Sequence, residues 1–449
     1  MKLFGTDGIR GRVNTYPMTP ENALRVGMAA AIVLGKEHHG RNTVLIGKDT
    51  RLSGYMIESA LTSGICSMGM NVTLVGPLPT PGIAFLTRTL RIDAGVVISA
   101  SHNPFYDNGI KFFSYDGFKL PDDIEKRIEE LVKDDSLGRY RAKGEEVGKA
   151  SRLDDATGRY IEYIKSTLKK GVTFEGMKIV VDCANGAAYK TTPWLLRELG
   201  AEVISINDKP DGININDRCG ALHMECLRKA VIQHKADVGI AHDGDADRTL
   251  LCDEKGGIID GDKIMGMCAV DMNARGKLKK STVVATVMSN LGLEKYFEKN
   301  NIKLIRTKVG DRYVVEKMLS GDYNFGGEQS GHIIFLDYNT TGDGQITAVQ
   351  VLNLMKSKNV SLSKLASPVK LFPQVLMNVE VGKIQDIRSV PAITDAIRAA
   401  EKKLDGRGRI VVRPSGTEPK IRVMLEGDDI TMINRIGREV SKVIRESMQ

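Results

Sequence analysis

Three carboxylates alternate along the sequence HDGDADRT, at residues 242–249. They are Asp243, Asp245 and Asp247, and they follow an apolar stretch that is typical of a buried strand. Carboxylates crowded at the end of a strand repel one another unless a hard cation such as Mg²⁺ neutralises them. The spacing therefore predicts a magnesium site. Arg248 beside it cannot bind a metal but is suited to hold a phosphoryl oxygen.

A second polar loop follows another apolar run, in the sequence VVISASHNPFYDNGIKF at residues 96–112. It presents Ser101, but the chain lacks the G-x-S-x-G pattern of serine hydrolases. Neighbouring side chains on an extended chain point to opposite faces, so we expect His102 to be a poor base for Ser101. A serine beside a magnesium site instead favours phosphoryl transfer, with the hydroxyl as the phosphate carrier. An ordinary polar turn is the alternative.

The glycine-rich sequence GGEQSGH, at residues 326–332, is a candidate sugar-binding loop. Glu328 and Ser330 are suitable partners for sugar hydroxyls, and His332 could move a proton near neutral pH. A plain turn with a hydrogen-bonded histidine is the alternative for this loop.

The sequence RPSGTEPKIR, at residues 413–422, has the composition of an anion-binding loop, although a plain turn remains the alternative. Its candidate phosphate ligands are Arg413, Ser415, Gly416, Thr417 and Arg422. The chain contains no G-x-x-x-x-G-K-[ST] pattern, so a nucleoside triphosphate is not implied.

The elements that must position these loops repeat three times along the chain. The predicted strands begin near residues 43, 71 and 94 in the first unit, 178, 202 and 236 in the second, and 281, 302 and 323 in the third. About twenty to thirty residues separate the first two strands of each unit, which leaves room for one crossover helix. Ligands of open α/β sheets bind at the carboxyl ends of strands, so the loops after the third strands are expected to share one site.

The pattern predicts an α/β protein: three similar α/β domains with mixed, largely parallel sheets around a central cleft, plus a smaller C-terminal α+β domain. The first domain would carry the serine loop, the second the aspartate loop, the third the sugar loop and the fourth the phosphate loop. The expected boundaries are 1–153, 154–254, 255–367 and 368–449.

The composition excludes several classes of protein. The net charge of +8 fits anionic ligands, but only 5% of the residues are aromatic and no basic block occurs, so nucleic acid is disfavoured. No stretch of the sequence is apolar enough to span a membrane or to resemble a secretory signal, so a cytoplasmic location is expected. The six cysteines contain no CxxC pair and are expected to be free thiols.

The four motifs SASHNP, DGDADR, GEQSGH and RPSGTEPK, in this order, resemble the α-D-phosphohexomutase superfamily over essentially the whole chain. The opening FGTDGIRG and Gln329 are similar to the branch that acts on glucosamine phosphates. Relatives that act on glucose or mannose phosphates more often have Glu or Met at the position of Gln329. A phosphoglucomutase or phosphomannomutase remains the alternative.

The resemblance implies that the enzyme, an isomerase, interconverts glucosamine 6-phosphate and glucosamine 1-phosphate, for the synthesis of UDP-N-acetylglucosamine and bacterial cell-wall precursors. The reaction would pass through a phosphoserine and a 1,6-bisphosphate, with Mg²⁺ as cofactor and a hexose 1,6-bisphosphate as primer. It also implies that the last domain rotates over the bound phosphorylated amino sugar, and that a homodimer is possible.

The resemblance also assigns roles to individual residues. Ser101 would be the phosphoserine and would hold the metal together with Asp243, Asp245 and Asp247. Arg248 would act on the transferring group, with Lys111 and His332 as candidate acids or bases. The sugar would be bound by Glu328, Ser330, Arg10 and Lys308, and its non-reacting phosphate by Arg413, Ser415, Gly416, Thr417 and Arg422.

One motif has a rival interpretation, and one residue departs from the family pattern. The sequence DADRT, at residues 245–249, also fits the D-x-D-x-T pattern of aspartyl phosphatases, although that motif would be expected after the first strand of a domain. In GKDTR, Lys48 occupies a position where the family frequently has arginine, and lysine keeps the charge without the planar fork.

Overall fold

The computed structural model describes residues 3–5, 7–35, 41–382, 386–414 and 420–448. The chain forms two compact units: Met1–Thr286 with Ile305–Ala366, and Val287–Leu304 with Ser367–Gln449. Within the described ranges, no helix has both the length and the apolar character needed to cross a membrane.

The first sheet belongs to the larger unit. Its strands are β1 (Ile9–Arg12), β2 (Thr43–Lys48), β3 (Asn71–Pro77), β4 (Ala94–Ile98), β5 (Asp107–Ser114) and β6 (Ala150–Arg152), and its helices are α1 (Pro20–Gly35), α2 (Ser53–Ser67), α3 (Thr80–Thr89) and α4 (Asp122–Val132). The strands lie in the order β1–β5–β4–β2–β3–β6, with β2 parallel to both β3 and β4. All residues of β4 are buried, so the side chains that can contribute to a site are those of the polar loop that follows the strand.

Helices α1 and α2 cover part of this sheet and pack closely against each other. A Cβ added at Gly27 would lie 2.6 Å from the carbonyl oxygen of Leu61, and one at Gly64 would lie 2.3 Å from that of Leu24. The two glycines therefore let the helix backbones approach, which brings apolar side chains such as Val26 and Leu61 into one buried core.

The second and third sheets follow in sequence. The second has β7 (Lys178–Asp182), β8 (Glu202–Ile206), β9 (Val238–His242), β10 (Thr249–Asp253) and β11 (Ile258–Ile259), with helices α5 (Ala156–Ser166), α6 (Thr191–Glu198) and α7 (Glu225–His234). The third has β12 (Thr282–Thr286), β13 (Lys303–Thr307), β14 (Phe325–Gly327) and β15 (Ile333–Phe335), and the helices in this part of the chain are α8 (Gly261–Ala274), α9 (Leu291–Lys299), α10 (Asp311–Gly321), α11 (Gly344–Lys358) and α12 (Leu362–Ala366). Their strand orders are β11–β10–β9–β7–β8 and β13–β12–β14–β15.

The three sheets repeat one strand order. In each, the first strand of the predicted unit lies between the second and the third: β2 between β3 and β4, β7 between β8 and β9, and β12 between β13 and β14. An antiparallel strand then pairs with the third, namely β5, β10 or β15. This arrangement confirms the predicted fold class of three similar α/β domains with mixed sheets.

The smaller unit contains a sheet with two helices on it. Besides α9, which lies in its first segment, its elements include β16 (Gln374–Glu380), α13 (Pro391–Leu404), β17 (Gly408–Pro414), β18 (Lys420–Gly427) and α14 (Ile430–Ser447). The antiparallel order is β16–β18–β17, and the core includes Ile393, Val423 and Ile436. Helix α14 begins where the Asp429 carboxylate accepts hydrogen bonds from the amides of Thr431 and Met432. This antiparallel α+β architecture is the one predicted for the C-terminal domain.

Candidate active site

The serine loop and the aspartate loop meet at the carboxyl ends of β4 and β9. Ser101 is 1% exposed, and its hydroxyl donates a hydrogen bond of 2.6 Å to Oδ2 of Asp243. The structure therefore brings together the predicted phosphate carrier and the first predicted metal ligand, although 142 residues separate them in sequence.

The three aspartates form one buried cluster. Their ligand oxygens lie within 4.8 Å of one another, and Oδ1 of Asp245 and Oδ1 of Asp247 are buried without a hydrogen-bond partner among the residues that the structure describes. Burial, followed by repulsion from Asp247 and Asp245, raises the pKa of Asp243 well above its ordinary value. Converging carboxylate oxygens with unsatisfied lone pairs are the ligands that Mg²⁺ prefers, so these residues fit the implied cation.

Lys111, on β5, partly balances this acidic cluster. Its ammonium donates to Oδ2 of Asp245 at 3.0 Å and lies 3.2 Å from Oδ2 of Asp7. Burial would lower the pKa of Lys111, but the carboxylates of Asp245 and Asp7 outweigh burial and raise it above its ordinary value. Lys111 is therefore held as a cation. Thr80, at the start of α3, also donates to Oδ2 of Asp245, at 2.8 Å.

A chain of alternating charges continues from Lys111. Asp7 pairs with Lys119, which pairs in turn with Asp311 at the start of α10. Oδ2 of Asp311 lies 3.7 Å from Nε2 of His332. The sequence motifs do not identify Lys119 or Asp311, which lie outside the quoted loops, whereas Asp7 belongs to FGTDGIRG and could have been found there.

His332 lies between Asp311, at the end of this chain of charges, and Asp247 of the aspartate cluster. Its Nδ1 lies 3.4 Å from Oδ2 of Asp247, and its Nε2 accepts a hydrogen bond of 3.1 Å from the amide of Gly342. The Gly342 bond requires a lone pair on Nε2 and thus directs the ring proton on Nδ1 toward Asp247. Burial lowers the pKa of His332, but Asp247 and Asp311 outweigh burial and raise it.

Arg248 and Arg10 lie among the carboxylates. Burial would lower the pKa of both guanidinium groups, but nearby carboxylates outweigh it: chiefly Asp247 for Arg248, and Asp7 for Arg10. Nε of Arg248 is buried and has no hydrogen-bond partner in the described part of the chain. Since Glu328 also acts electrostatically on Arg248, the sugar loop lies close to the aspartate loop.

The sugar loop follows β14 and is held by neighbouring backbone. The Glu328 carboxylate accepts from the Gly310 amide at 3.3 Å and lies 3.5 Å from the hydroxyl of Ser330. By contrast, Lys308 is exposed, and its ammonium lies 5.9 Å from the ring centre of Tyr313. Thus Glu328 and Ser330 lie together as expected, whereas no contact joins Lys308 to the other candidate residues within the described ranges.

The predicted phosphate loop lies only partly within the described residues. Ser415, Gly416 and Thr417 fall outside them. Arg413 on β17 and Arg422 on β18 are directly opposite each other across the antiparallel pair. Burial, followed by repulsion from Arg422, lowers the pKa of Arg413, so this end of the sheet concentrates positive charge.

The expectation for His102 is wrong in its geometry. Ser101 has a φ of 52°, a left-handed rather than an extended conformation, and its hydroxyl lies 3.4 Å from Nδ1 of His102. Burial, with help from Arg248 and Arg10, lowers the pKa of His102 to about 4. The ring is thus neutral at neutral pH and lies beside the serine, not across the strand from it.

Comparison with known proteins agrees with this arrangement. Models of the phosphoglucomutase/phosphomannomutase family match α/β/α domain I at residues 1–139, domain II at 158–257, domain III at 260–372 and the C-terminal domain at 376–443. The phosphoglucosamine mutase of Syntrophotalea carbinolica is 55% identical over 447 residues, which cover 100% of this chain and 98% of that protein. That of Citrifermentans bemidjiense is 56% identical with the same coverage.

Solved structures share the fold at lower identity. A phosphoglucomutase/phosphomannomutase family protein from Burkholderia thailandensis superposes with a TM-score of 0.83 at 22% identity, covering 99% of this chain and 97% of that one. The Aspergillus fumigatus N-acetylphosphoglucosamine mutase, in complex with GlcNAc-6P and magnesium, gives 0.68 at 17%, covering 100% and 96%. A variant of that enzyme in complex with glucose 1,6-bisphosphate gives 0.67 at 19%, covering 99% and 95%. The chain therefore belongs to the phosphoglucomutase/phosphomannomutase family, and within it to the phosphoglucosamine mutases.

Proposed function

We propose that the chain interconverts glucosamine 6-phosphate and glucosamine 1-phosphate by passing a phosphoryl group through Ser101. The observation that carries this proposal is the 2.6 Å hydrogen bond from the Ser101 hydroxyl to Asp243, at the edge of three crowded carboxylates. A serine held against a cluster that fits a divalent cation is placed for phosphoryl transfer rather than for acyl transfer.

Asp243, Asp245 and Asp247 would hold Mg²⁺, together with an oxygen of the phosphate on Ser101. The cation would withdraw charge from the transferring phosphoryl group. The two partnerless oxygens, on Asp245 and Asp247, support this assignment because buried carboxylate oxygens otherwise find a donor. The magnesium in the Aspergillus fumigatus enzyme is consistent with the same choice of metal.

The reaction then consists of two balanced transfers. In the first, the free hydroxyl of the sugar phosphate attacks the phosphorus of phospho-Ser101, and the bond from phosphorus to Oγ breaks. The proton of the sugar hydroxyl goes to a base, and Oγ of Ser101 takes up a proton, so the product is glucosamine 1,6-bisphosphate. In the second, Oγ of Ser101 gives its proton to a base and attacks the other phosphate, and the sugar oxygen that leaves takes up a proton. The bisphosphate must turn over in the site between the two steps. Since the second step places a phosphoryl group on Ser101, a hexose 1,6-bisphosphate added from solution can prime the enzyme.

Lys111 and His332 are the candidate acid and base groups, and Arg248 would hold a phosphoryl oxygen. Because its raised pKa keeps Lys111 charged, Lys111 is suited to stabilising the charge on a leaving oxygen rather than to giving up its own proton. His332 keeps one proton on Nδ1, directed at Asp247, so a proton that it gains would go to Nε2 in place of the hydrogen bond from Gly342. Nε of Arg248 has no acceptor among the described residues, which leaves it available for a phosphoryl oxygen.

Substrate binding is assigned to two groups of residues. The sugar would contact Glu328, Ser330, Arg10 and Lys308, and its non-reacting phosphate Arg413, Ser415, Gly416, Thr417 and Arg422. The GlcNAc-6P bound by the Aspergillus fumigatus enzyme supports a phosphorylated sugar as the ligand class. The four-domain boundaries, a homodimer and a cytoplasmic location also remain predictions.

The test is a phosphorus NMR time course with Mg²⁺ and a trace of glucose 1,6-bisphosphate. Glucosamine 6-phosphate, glucose 6-phosphate and mannose 6-phosphate are supplied separately. We expect the fastest growth of a 1-phosphate from the glucosamine substrate, without free phosphate. Faster conversion of the glucose or mannose phosphate would overturn the substrate, and release of inorganic phosphate alone would favour the aspartyl phosphatase.

The Ser101→Ala variant separates the proposed mechanism from other mutase mechanisms. It should lose transfer completely, whereas Ser166→Ala, which removes a surface hydroxyl bonded to the Tyr163 carbonyl, should be unchanged. Full activity of Ser101→Ala would overturn the role of Ser101.

A further inference from the structure

Arg51 lies beneath the serine loop and has no exposed surface. Its guanidinium donates to three backbone carbonyls of that loop: those of Ser101 at 2.9 Å, Asn103 at 2.8 Å and Pro104 at 2.5 Å. Nε of the same group pairs with Asp49 at 2.8 Å. One buried side chain therefore holds the loop on both sides of His102.

The loop needs this support because Ser101 adopts an uncommon backbone conformation. A φ of 52° is strained at a residue other than glycine and persists only where the surroundings fix it. The Ser101 amide donates to the hydroxyl of Ser99 at 2.9 Å, and that hydroxyl donates to Asp49 at 2.6 Å. Asp49 thus connects Arg51 with the amide side of Ser101, while Arg51 holds its carbonyl side.

A second donor reaches the same carbonyls from another part of the chain. Nδ2 of Asn216 donates to the carbonyl of Ser101 at 2.9 Å and to that of Asn103 at 3.1 Å. Asn216 also has a left-handed φ, of 59°. A Cβ added at Gly244 would lie 2.5 Å from the Ser101 carbonyl oxygen, so the aspartate loop encloses the third side.

We propose that Arg51 is a positioning residue for phosphoryl transfer, which fixes the direction of Oγ of Ser101 toward Asp243 by holding the loop carbonyls. The inference rests on the proposed role of Ser101. Arg51 is buried beneath the loop, so its effect on the reaction passes through the loop backbone. Only a planar fork can reach the Asp49 carboxylate and the three carbonyls together, so lysine would keep the charge and lose the geometry.

The first test is Arg51→Lys, compared with the wild type in the Mg²⁺-loaded enzyme. We expect kcat to fall about 10- to 100-fold, because small misplacements of a reacting group cost up to about that factor. KM for glucosamine 6-phosphate should stay within about two-fold. Phosphorylation of Ser101 by glucose 1,6-bisphosphate, followed by intact-protein mass spectrometry in a single turnover, should slow by the same factor as kcat.

Two further variants control for a merely structural effect. Arg409→Lys disturbs a partly buried ion pair, with Glu426 at 2.8 Å, and should leave kcat and the rate of Ser101 phosphorylation unchanged. Asn216→Gly removes the second donor while glycine keeps the left-handed backbone, and should slow Ser101 phosphorylation by a smaller factor than Arg51→Lys. If Arg51→Lys fails to fold, Asn216→Gly carries the same test.

The outcomes separate this inference from the proposed function. An inactive Ser101→Ala with wild-type rates in Arg51→Lys and Asn216→Gly would overturn the role of Arg51 and leave Ser101 in place. A rise in KM that accounts for the whole loss in kcat/KM would also overturn it. Full activity of Ser101→Ala would overturn the proposed function itself.

Discussion

The molecule concentrates like charges in two places, and the two are built differently. In the larger unit, three buried aspartates converge within 4.8 Å, but the cations of Lys111 and Arg248 lie against them. In the smaller unit, Arg413 and Arg422 are opposite each other on neighbouring strands, and Nε of Arg422 is buried with no hydrogen-bond partner in the described residues. Crowded carboxylates favour a cation, and crowded guanidinium groups favour an anion.

The difference lies in how much of the charge the protein neutralises itself. The aspartate cluster is set in a network of fixed counter-charges, so its geometry is maintained before any ligand binds. Arg413 is partly exposed, and burial followed by repulsion from Arg422 lowers its pKa. An anionic ligand would relieve the repulsion between the two guanidinium groups. A prearranged cluster suits chemistry, which requires exact placement of the reacting atoms, whereas an open pair of arginines suits binding of either end of a bisphosphate.

The largest effect should come from removing one carboxylate of the cluster. Asp245→Asn should lower kcat by roughly 10³-fold, because it removes a carboxylate that would hold the cation, and the cation stabilises the transferring phosphoryl group. The rise in melting temperature that Mg²⁺ gives the wild type should also disappear. Differential scanning fluorimetry with and without Mg²⁺ measures the second effect.

Asp237→Asn is the matched control, because Asp237 is an exposed aspartate that accepts the Lys178 amide at 2.7 Å. It should keep both activity and the Mg²⁺ response. An Asp245→Asn protein that Mg²⁺ still stabilises like the wild type would show that the aspartate cluster is not the cation site.

The next largest effect should come from removing the cation of Lys111, which lies beside the aspartate cluster. Lys111→Met leaves Asp245 and Asp7 without their shared cation, and breaking a buried ion pair from one side costs about 3–5 kcal/mol. Urea denaturation should show this loss in the free energy of unfolding, and saturating Mg²⁺ should recover part of it. Lys111→Arg should lose less, since it retains the charge. Unchanged stability of Lys111→Met would show that the cluster does not depend on internal neutralisation.

The sequence predicts the serine and the aspartates of the site better than it predicts the residues that hold them in place. Ser101 and the three aspartates follow apolar strands directly, so the rule that ligands bind at strand ends places them without knowledge of the packing. Lys119, Asp311, Arg51 and Asn216 act through contacts between segments that are far apart in sequence. Arg51 and Asn216, for instance, meet at the Ser101 carbonyl from positions 50 and 115 residues away.

The same distinction explains the error over His102. Local spacing predicts opposite side-chain directions only if the backbone is extended, and the left-handed φ of Ser101 arises from donors that the local sequence does not contain. The three units of alternating strands and helices were predictable because the pattern repeats along the chain, whereas the contacts between the repeats were not.

A smaller effect is expected at the arginine pair. Arg422→Met should raise KM for glucosamine 6-phosphate about 10-fold, because a charged hydrogen bond to phosphate contributes about 1.5–3 kcal/mol. The stabilisation by Mg²⁺ should not change. Steady-state kinetics measure the first quantity and fluorimetry the second. Arg398→Met, which removes an exposed arginine of α13, is the control and should alter neither.

Inorganic phosphate offers a ligand test of the same pair. Phosphate should raise the melting temperature of the wild type and of Asp245→Asn, and should do so less for Arg422→Met. If phosphate stabilises Arg422→Met fully but not Asp245→Asn, then the assignment of the anion to the arginine pair is wrong.

The smallest effect tests whether a partnerless oxygen by itself makes a ligand site. The Lys48 ammonium lies 2.5 Å from Oε2 of Glu58, and Oε1 of Glu58 is buried with no hydrogen-bond partner in the described part of the chain. Glu58 belongs to no cluster of potential metal ligands among the described residues, so no cation is expected there. The cause is instead that an ammonium is a point donor, whereas an arginine fork can reach both oxygens.

Lys48→Arg should therefore raise the free energy of unfolding by about 1 kcal/mol, the contribution of one added hydrogen bond less some cost of packing the larger head group. The space for a larger head group is limited, because the Lys48 side chain packs against Gly54: a Cβ built on that glycine would lie only 3.3 Å from Cδ of Lys48. Urea denaturation measures the change, and the Mg²⁺ response should be that of the wild type. A loss of stability would show that packing outweighs the new bond. A new Mg²⁺ response on replacing Lys48 would instead mean that one unpaired carboxylate oxygen is enough to recruit a cation, and the contrast with the three-aspartate cluster would fail.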